Sequence, residues 1–337
     1  MPMAMTDAPL GAAHAGSEES LALAEHLARG SSEPEQIREA ARIFALEGRR
    51  DRAIDILRQG ILTHPRHADL LAALADLLSR TGTFEEADLY FQRSLESEPT
   101  LAGAWYLRGL HHGRQGKLVD ASGAYEEAVR HSPGHVKAWV NLGLARADVG
   151  DRKGALSALQ RAIAADPACA EAHANLGVLY AEQGLREEAL AEFRRAVELS
   201  PESSESHFNL GWALLAEDEL AQAEATLVES VRLDPENVEG LVALALLYQR
   251  TGAYARAVAV LKQAIEKRPD EARLHYSLGV AYNSQEAVDQ AILALETAAR
   301  LNADDPRIHR LLGVAFDKKE LPARAREAYR RAALLHG

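Results

Sequence analysis

The chain has 337 residues, with 38 Lys+Arg against 50 Asp+Glu and a formal net charge of −12. An acidic chain is poorly matched to nucleic acid, whose phosphates call for a basic face, and a single cysteine, Cys169, excludes an internal disulfide and a cysteine-rich metal site. No uninterrupted apolar run approaches the ~18 residues needed to cross a bilayer, whereas 47% hydrophobic residues, with 64 alanines among them, suffice for a helical core.

In chain order, residues 1–16 lack the basic and apolar regions of a secretion signal. They are expected to form a disordered leader, and the expected location is cytoplasmic. Ser17 to Ser20, followed by Leu21, Leu23, Ala24, Leu27 and Ala28 and closing at Gly30, predicts an N-terminal capping helix within 17–33. Serine and glutamate there face the unsatisfied N–H groups of a helix start. From Pro34 onward the chain repeats. Pro65, Pro99, Pro133, Pro167, Pro201, Pro235 and Pro269 lie 34 residues apart, with Gly48, Gly82, Gly116, Gly150, Gly184 and Gly252 on a parallel ruler. An alanine ruler runs unbroken from Ala53 through Ala155 to Ala325, so nine units occupy 34–337. Length alone would give two or three domains of roughly 100–200 residues; the repetition replaces them with one array.

Each unit reads as two helices. In 102–135, Trp105, Arg108, Gly109 and His112 fall at unit positions 4, 7, 8 and 11, the spacing of one buried helical face. Gly116 supplies the turn, Ala121, Tyr125 and Ala128 form a stripe on the second helix, and Pro133 ends it. Small residues such as Gly143, Ala155 and Ala162 allow close approach, so Ala155→Leu is expected to cost about 1–3 kcal/mol by overpacking.

These residues resemble the tetratricopeptide repeat. Residues 170–203 place Leu176, Gly177, Tyr180, Ala189, Phe193, Ala196 and Pro201 in that family's positions, and the resemblance covers 34–337. It implies an all-α, right-handed superhelical solenoid of nine helix-turn-helix units, each touching only its neighbours. Departures are local. Arg108 and Arg146 stand at usually apolar places, Asp218, Glu286 and Glu320 replace the turn glycine, and Ala303 replaces the proline. Looser packing is expected of those late units. The last helix, read from Pro322 to Ala333, carries Arg324, Arg326, Arg330 and Arg331 and is expected to serve as a polar cap.

The resemblance further implies that positions 2, 5, 6, 9 and 13 of each first helix line a concave groove. Position 9 carries Leu110, Leu144, Val178, Trp212 and Leu246; position 5 carries Tyr106, Phe208 and Tyr276. An apolar stripe not needed within its own unit marks an interaction surface. Position 6 carries Asn141, Asn175 and Asn209, amides able to grip a peptide backbone, like the asparagine ladder of sugar-transferase members of the family. Position 2 adds Glu171, Glu205 and Glu239, then changes sign to Arg273 and Arg307. The expected ligand is therefore a protein or peptide segment combining basic and apolar residues. The lysine–asparagine pattern of the chaperone-tail-binding members is absent.

Chemistry is not expected. His173, His207, His275 and His309 share position 4 with Trp105 and Trp139, one per unit, so they read as half-buried ring substitutes rather than metal ligands. His111/His112 and His131/His135 lie near turns or helix ends without a matching carboxylate cluster, so neither a metal nor a cofactor is expected. Cys169 reads as a small turn residue, and no phosphate-binding loop, GxSxG or HExxH occurs. The expected role is a non-enzymatic scaffold or adaptor that neither binds nucleic acid nor inserts into membranes. Two alternatives stand beside it: a self-assembling protein using its basic C-terminal unit, where residues 306–337 hold a net +5, or the regulatory subunit of an enzyme complex.

Overall fold

A computed structural model describes residues 18–30 and 33–335; the expected leader at 1–16 and the capping Ser17 lie outside the described residues. Among the described residues the secondary structure is entirely helical. Helix α1 (Glu18–Gly30) precedes two helices per repeat: α2 (Pro34–Leu46), α3 (Arg50–Thr63), α4 (Ala68–Arg80), α5 (Phe84–Ser97), α6 (Ala102–Arg114), α7 (Leu118–His131), α8 (Val136–Asp148) and α9 (Arg152–Ala165). Then follow α10 (Ala170–Glu182), α11 (Arg186–Leu199), α12 (Ser204–Ala216), α13 (Leu220–Leu233), α14 (Val238–Arg250), α15 (Tyr254–Lys267), α16 (Ala272–Ser284), α17 (Val288–Leu301), α18 (Pro306–Lys318) and α19 (Pro322–Leu334). Contacts concentrate in two bodies, residues 1–179 and 180–337, with α10 running across the boundary.

In the N-terminal body α2 packs on α3, α4 on α5, α6 on α7 and α8 on α9; α2 also meets α4, and α4 meets α6. Its first core joins Phe44, Leu57, Leu70, Leu74 and Phe91, and reaches back to Ala24 of α1, which is fully buried. In the C-terminal body α12 packs on α13, α14 on α15, α16 on α17 and α18 on α19, while α12, α14, α16 and α18 meet in succession.

The recurring turn explains why the array keeps its register. Gly116 has φ 70°, and the Lys117 N–H reaches back to the His112 carbonyl at 3.0 Å, satisfying an otherwise orphaned helix C-terminus. Asp218, Glu286 and Glu320 adopt the same left-handed conformation, at φ 64°, 61° and 58°, although their Cβ atoms oppose it. The closing bonds persist: Glu219 N–H to Leu214 O at 3.0 Å and Ala287 N–H to Tyr282 O at 3.0 Å.

The looser packing expected of those repeats is not observed. A Cβ placed on Gly143 would lie 2.8 Å from Leu159 Cγ, and on Gly211 or Gly279 it would lie 2.6 Å from Leu227 Cγ or 2.5 Å from Leu295 Cγ. The two helices are thus as close behind Asp218 and Glu286 as behind a glycine turn, because position 8 sets that approach and the turn residue does not.

Position 4 has a common function in both bodies. The indole N–H groups of Trp105 and Trp139 donate to the carbonyls of Pro99 and Pro133, each at 2.8 Å. His207 and His275 place Nε2 2.9 and 2.7 Å from the carbonyls of Pro201 and Pro269, and His309 repeats the contact at 2.7 Å on Ala303. Since a carbonyl only accepts, Nε2 carries the hydrogen. Tryptophan and histidine interchange here because each holds an N–H at the far edge of a flat ring.

Candidate functional site

The predicted inner stripe divides into a closed part and an open part. In the N-terminal body, Leu144 is fully buried and Leu110 nearly so. Asn141 is also fully buried, its amide donating to the Tyr106 hydroxyl at 3.3 Å. The Tyr106 ring lies against Tyr125 and His135, with centroids 5.9 and 4.7 Å away. Leu110, Asn141 and Leu144 therefore do not present side chains to a ligand, contrary to expectation: Asn141 and Tyr106 close the inner face on each other. Tyr106 itself is half-buried in that contact, and Glu171, Asn175 and Val178 on α10 are half-buried.

In the C-terminal body the same positions open. Trp212 is 47% exposed and Leu246, one repeat on, 39%. Phe208, one helical turn before Trp212, is half-buried and stacks on its indole at a centroid distance of 6.3 Å and an angle of 24°. Asn209 is half-buried beside them and Glu205 is exposed. Glu239 is not a free acid. It accepts from Arg273 at 2.5 Å and Arg268 at 3.2 Å, and the Arg273 bond above all holds its carboxyl below the usual range. Arg273 also pairs with Glu271. The sign change at position 2 is thus an internal ion-pair cluster. Tyr276 lies beneath the Arg307 guanidinium, 5.6 Å from its ring centre, and that arginine also grips Asp305 at 2.7 Å.

A profile described as the cilia and flagella-associated protein 70 C-terminal domain matches residues 135–337, and the tetratricopeptide repeat profile matches 38–102 and 106–151. The chain belongs to the tetratricopeptide-repeat family. Solved structures share the fold. YrrB, described as a tetratricopeptide-repeat protein with an unusual peptide-binding site, is 22% identical over 59% of this chain and 100% of its own, with a TM-score of 0.50. A tetratricopeptide repeat protein from Parabacteroides merdae ATCC 43184 is 18% identical over 69% of this chain and 93% of its own, at 0.52. The Cut9–Hcn1 hetero-tetramer of APC/C gives 16% identity over 87% of this chain and 58% of that chain, at 0.58. A search of curated proteins finds no match.

Other features of this tetratricopeptide-repeat protein escape pattern reading. A cavity of about 340 Å³ opens on α2 and α4, floored by Ala41, Ala45, Ala73 and Leu77 and rimmed by Arg38, Arg42, Asp76 and Arg80. The rim charges are paired, Arg38 with Asp69 at 3.0 Å, Arg42 with Glu39 at 2.6 Å and Arg80 with Asp76 at 2.9 Å. The signal was present in the sequence: position 9, apolar from the third repeat onward, is Arg42 and Asp76 in the first two. His111 also departs from the sequence reading. Asp88, on the preceding α5, approaches its Nε2 at 3.1 Å, so the histidine pair does have a matching carboxylate, supplied by another repeat.

Cys169 is half-buried, and burial pushes its thiol up, away from the reactive thiolate. Nearby His173 lies 3.3 Å from the Pro167 carbonyl through Nε2. No helix among the described residues is long and apolar enough to cross a membrane.

Proposed function

We propose that this protein is an interaction scaffold whose C-terminal body takes a partner's peptide segment on α12 and α14. The observation that carries the reading is the exposure of Trp212 and Leu246, backed by Phe208, where large apolar side chains would otherwise be covered. Asn209 offers both a donor and an acceptor to a peptide backbone, and Glu205 offers a carboxylate to a basic side chain. The ligand is accordingly an apolar segment with a flanking Lys or Arg. Titration of apolar–basic peptides by isothermal calorimetry tests it. Trp212→Ala is expected to weaken binding by about 30-fold, the loss of a hot spot worth about 2 kcal/mol. Equal affinity for wild type, Trp212→Ala and Asn209→Ala would overturn it.

Self-association is the second reading. It is favoured by the net +5 of residues 306–337 and by Leu334 of α19, which is 72% exposed. Part of that charge is already engaged, as Arg324 pairs with Glu296 at 2.6 Å and Arg330 with Glu327 at 2.8 Å. Light scattering at low and high salt separates the readings: a salt-insensitive monomer eliminates this one.

A further inference from the structure

Helix α6 carries two adjacent histidines. Successive helical residues point about 100° apart, so His111 and His112 ordinarily serve different surroundings. Here both are buried, and one ligand-capable atom from each, with a carboxylate oxygen of Asp88 on α5, lie within 4.8 Å of one another.

The surroundings of the two rings differ. His111 is fully buried, with Nδ1 3.0 Å from Ser79 Oγ and Nε2 3.1 Å from Asp88 Oδ1. Arg114 donates to the same Ser79 oxygen at 2.9 Å, which leaves that oxygen a second lone pair to accept Nδ1–H. The Ser79 hydroxyl can equally donate to Nδ1, and a carboxylate only accepts, so without an ion Nε2–H bonds Asp88. An ion seated at Nε2 takes the place of that hydrogen, and the ring then donates Nδ1–H to Ser79, the arrangement that orients a metal-bound histidine. His112 is only 9% exposed, yet its Nδ1 is buried with no hydrogen-bond partner. A buried imidazole nitrogen without a partner carries a desolvation penalty that some ligand ordinarily removes.

We propose that Asp88, His111 and His112 bind one divalent transition-metal ion of the zinc class, clamping the second repeat to the third. Two imidazole nitrogens and one carboxylate oxygen form a borderline donor set suited to zinc rather than to calcium or magnesium. Burial lowers the pKa of both histidines, keeping them in the neutral form that ligates metal. Gln115 places its amide 2.6 Å from His111 Nε2; turned about its last bond, the amide presents an oxygen as a fourth donor. Asp88 is 43% exposed at its side chain and gives the ion a route from solvent.

The test uses the full chain stripped with chelator and titrated with zinc alone, then with cobalt alone, whose visible absorption reports the donor set. Wild type is expected to take up one tight equivalent and to unfold at a higher temperature with it, because ligand binding to the folded state adds to stability. Asp88→Asn and His112→Leu are each expected to lose at least tenfold in affinity, and His275→Asn to lose nothing. His112→Leu remains informative about folding, since position 11 is Leu78 in the preceding repeat and Leu214 in a later one: without metal it is expected to be at least as stable as wild type. Absence of a tight equivalent in wild type overturns the proposal. So does uptake that Asp88→Asn and His112→Leu leave unchanged.

Discussion

Leu144 and Leu246 are the same residue at the same repeat position, yet one is fully buried and the other 39% exposed. The difference lies in their neighbours. On the helix of Leu144, Asn141 is fully buried and donates to the Tyr106 hydroxyl of the preceding repeat, and Val140 is also buried. Around Leu246 the stripe continues from Trp212, whose indole stacks on Phe208 and stays half in solvent. Position in a repeat fixes direction; the residues one repeat away fix exposure. The matched pair Leu144→Ala and Leu246→Ala measures this most directly. Loss of the buried side chain is expected to cost about 2–5 kcal/mol through lost transfer energy and a cavity. Loss of the exposed one is expected to cost about 1 kcal/mol or less. Urea unfolding of each variant reads the difference, and equal costs would erase the contrast between the two bodies.

The asparagines sharpen the same comparison at lower amplitude. Asn141→Ala removes a fully buried amide and its bond to the Tyr106 hydroxyl, with an expected cost of about 1–3 kcal/mol. Asn209 is half-buried, and Asn209→Ala is expected to change stability by about 0.5 kcal/mol or less. If Asn209 instead proves as costly as Asn141, it is a structural residue and drops out of the peptide reading.

The contrast also shows what sequence conveys. The helix pairs, the turns and the flat ring at position 4, though not its bond to a carbonyl, were legible because they depend on spacing within about 34 residues, where proline, glycine and alanine recur in phase. The closure of Asn141 by Tyr106 was not, since it joins residues 35 apart whose types do not announce the contact. The meeting of Asp88 with His111 was hidden for the same reason, 23 residues apart and on different helices. Arg273 looked like a change of sign along a groove and is instead the partner of Glu239. A residue's repeat position predicts which face it occupies, and only the paired side chain tells whether that face is free.

The turns supply a third contrast. The N-terminal body closes its first helices with Gly48, Gly82, Gly116 and Gly150, whereas the C-terminal body uses Asp218, Glu286 and Glu320 beside Gly184 and Gly252. An L-residue held in the left-handed region costs roughly 1–2 kcal/mol, partly offset by the greater freedom of glycine in the unfolded chain. Glu286→Gly and Glu320→Gly are therefore each expected to stabilise by about 1 kcal/mol. Asp218→Gly is expected to gain less, because it also loses the exposed contact with Arg250 at 2.8 Å, a pair worth up to about 1 kcal/mol. The converse change, Gly116→Glu, is expected to destabilise by a similar amount. Denaturation midpoints decide each case.

The smallest effect is a pH dependence confined to the closed face. His135 precedes α8, and its Nδ1 accepts the Ala138 N–H at 3.3 Å while its ring lies on Tyr106. Burial holds its pKa below the ordinary histidine value, with Lys137 adding to the shift. The unfolded chain therefore binds a proton at this residue before the folded one does. The stability it contributes is present above the unfolded pKa of about 6.5 and is lost as pH falls below it towards the folded value. Protonation also removes the lone pair that caps the helix. Asn at this position accepts the same N–H and does not titrate, so His135→Asn is expected to gain about 0.5 kcal/mol near pH 7.5. Its advantage over wild type is expected to widen as pH is lowered to about 5.5. A constant difference between the two proteins across that range would show that His135 protonates equally in the folded and unfolded chains, and that the Tyr106 face is open to water.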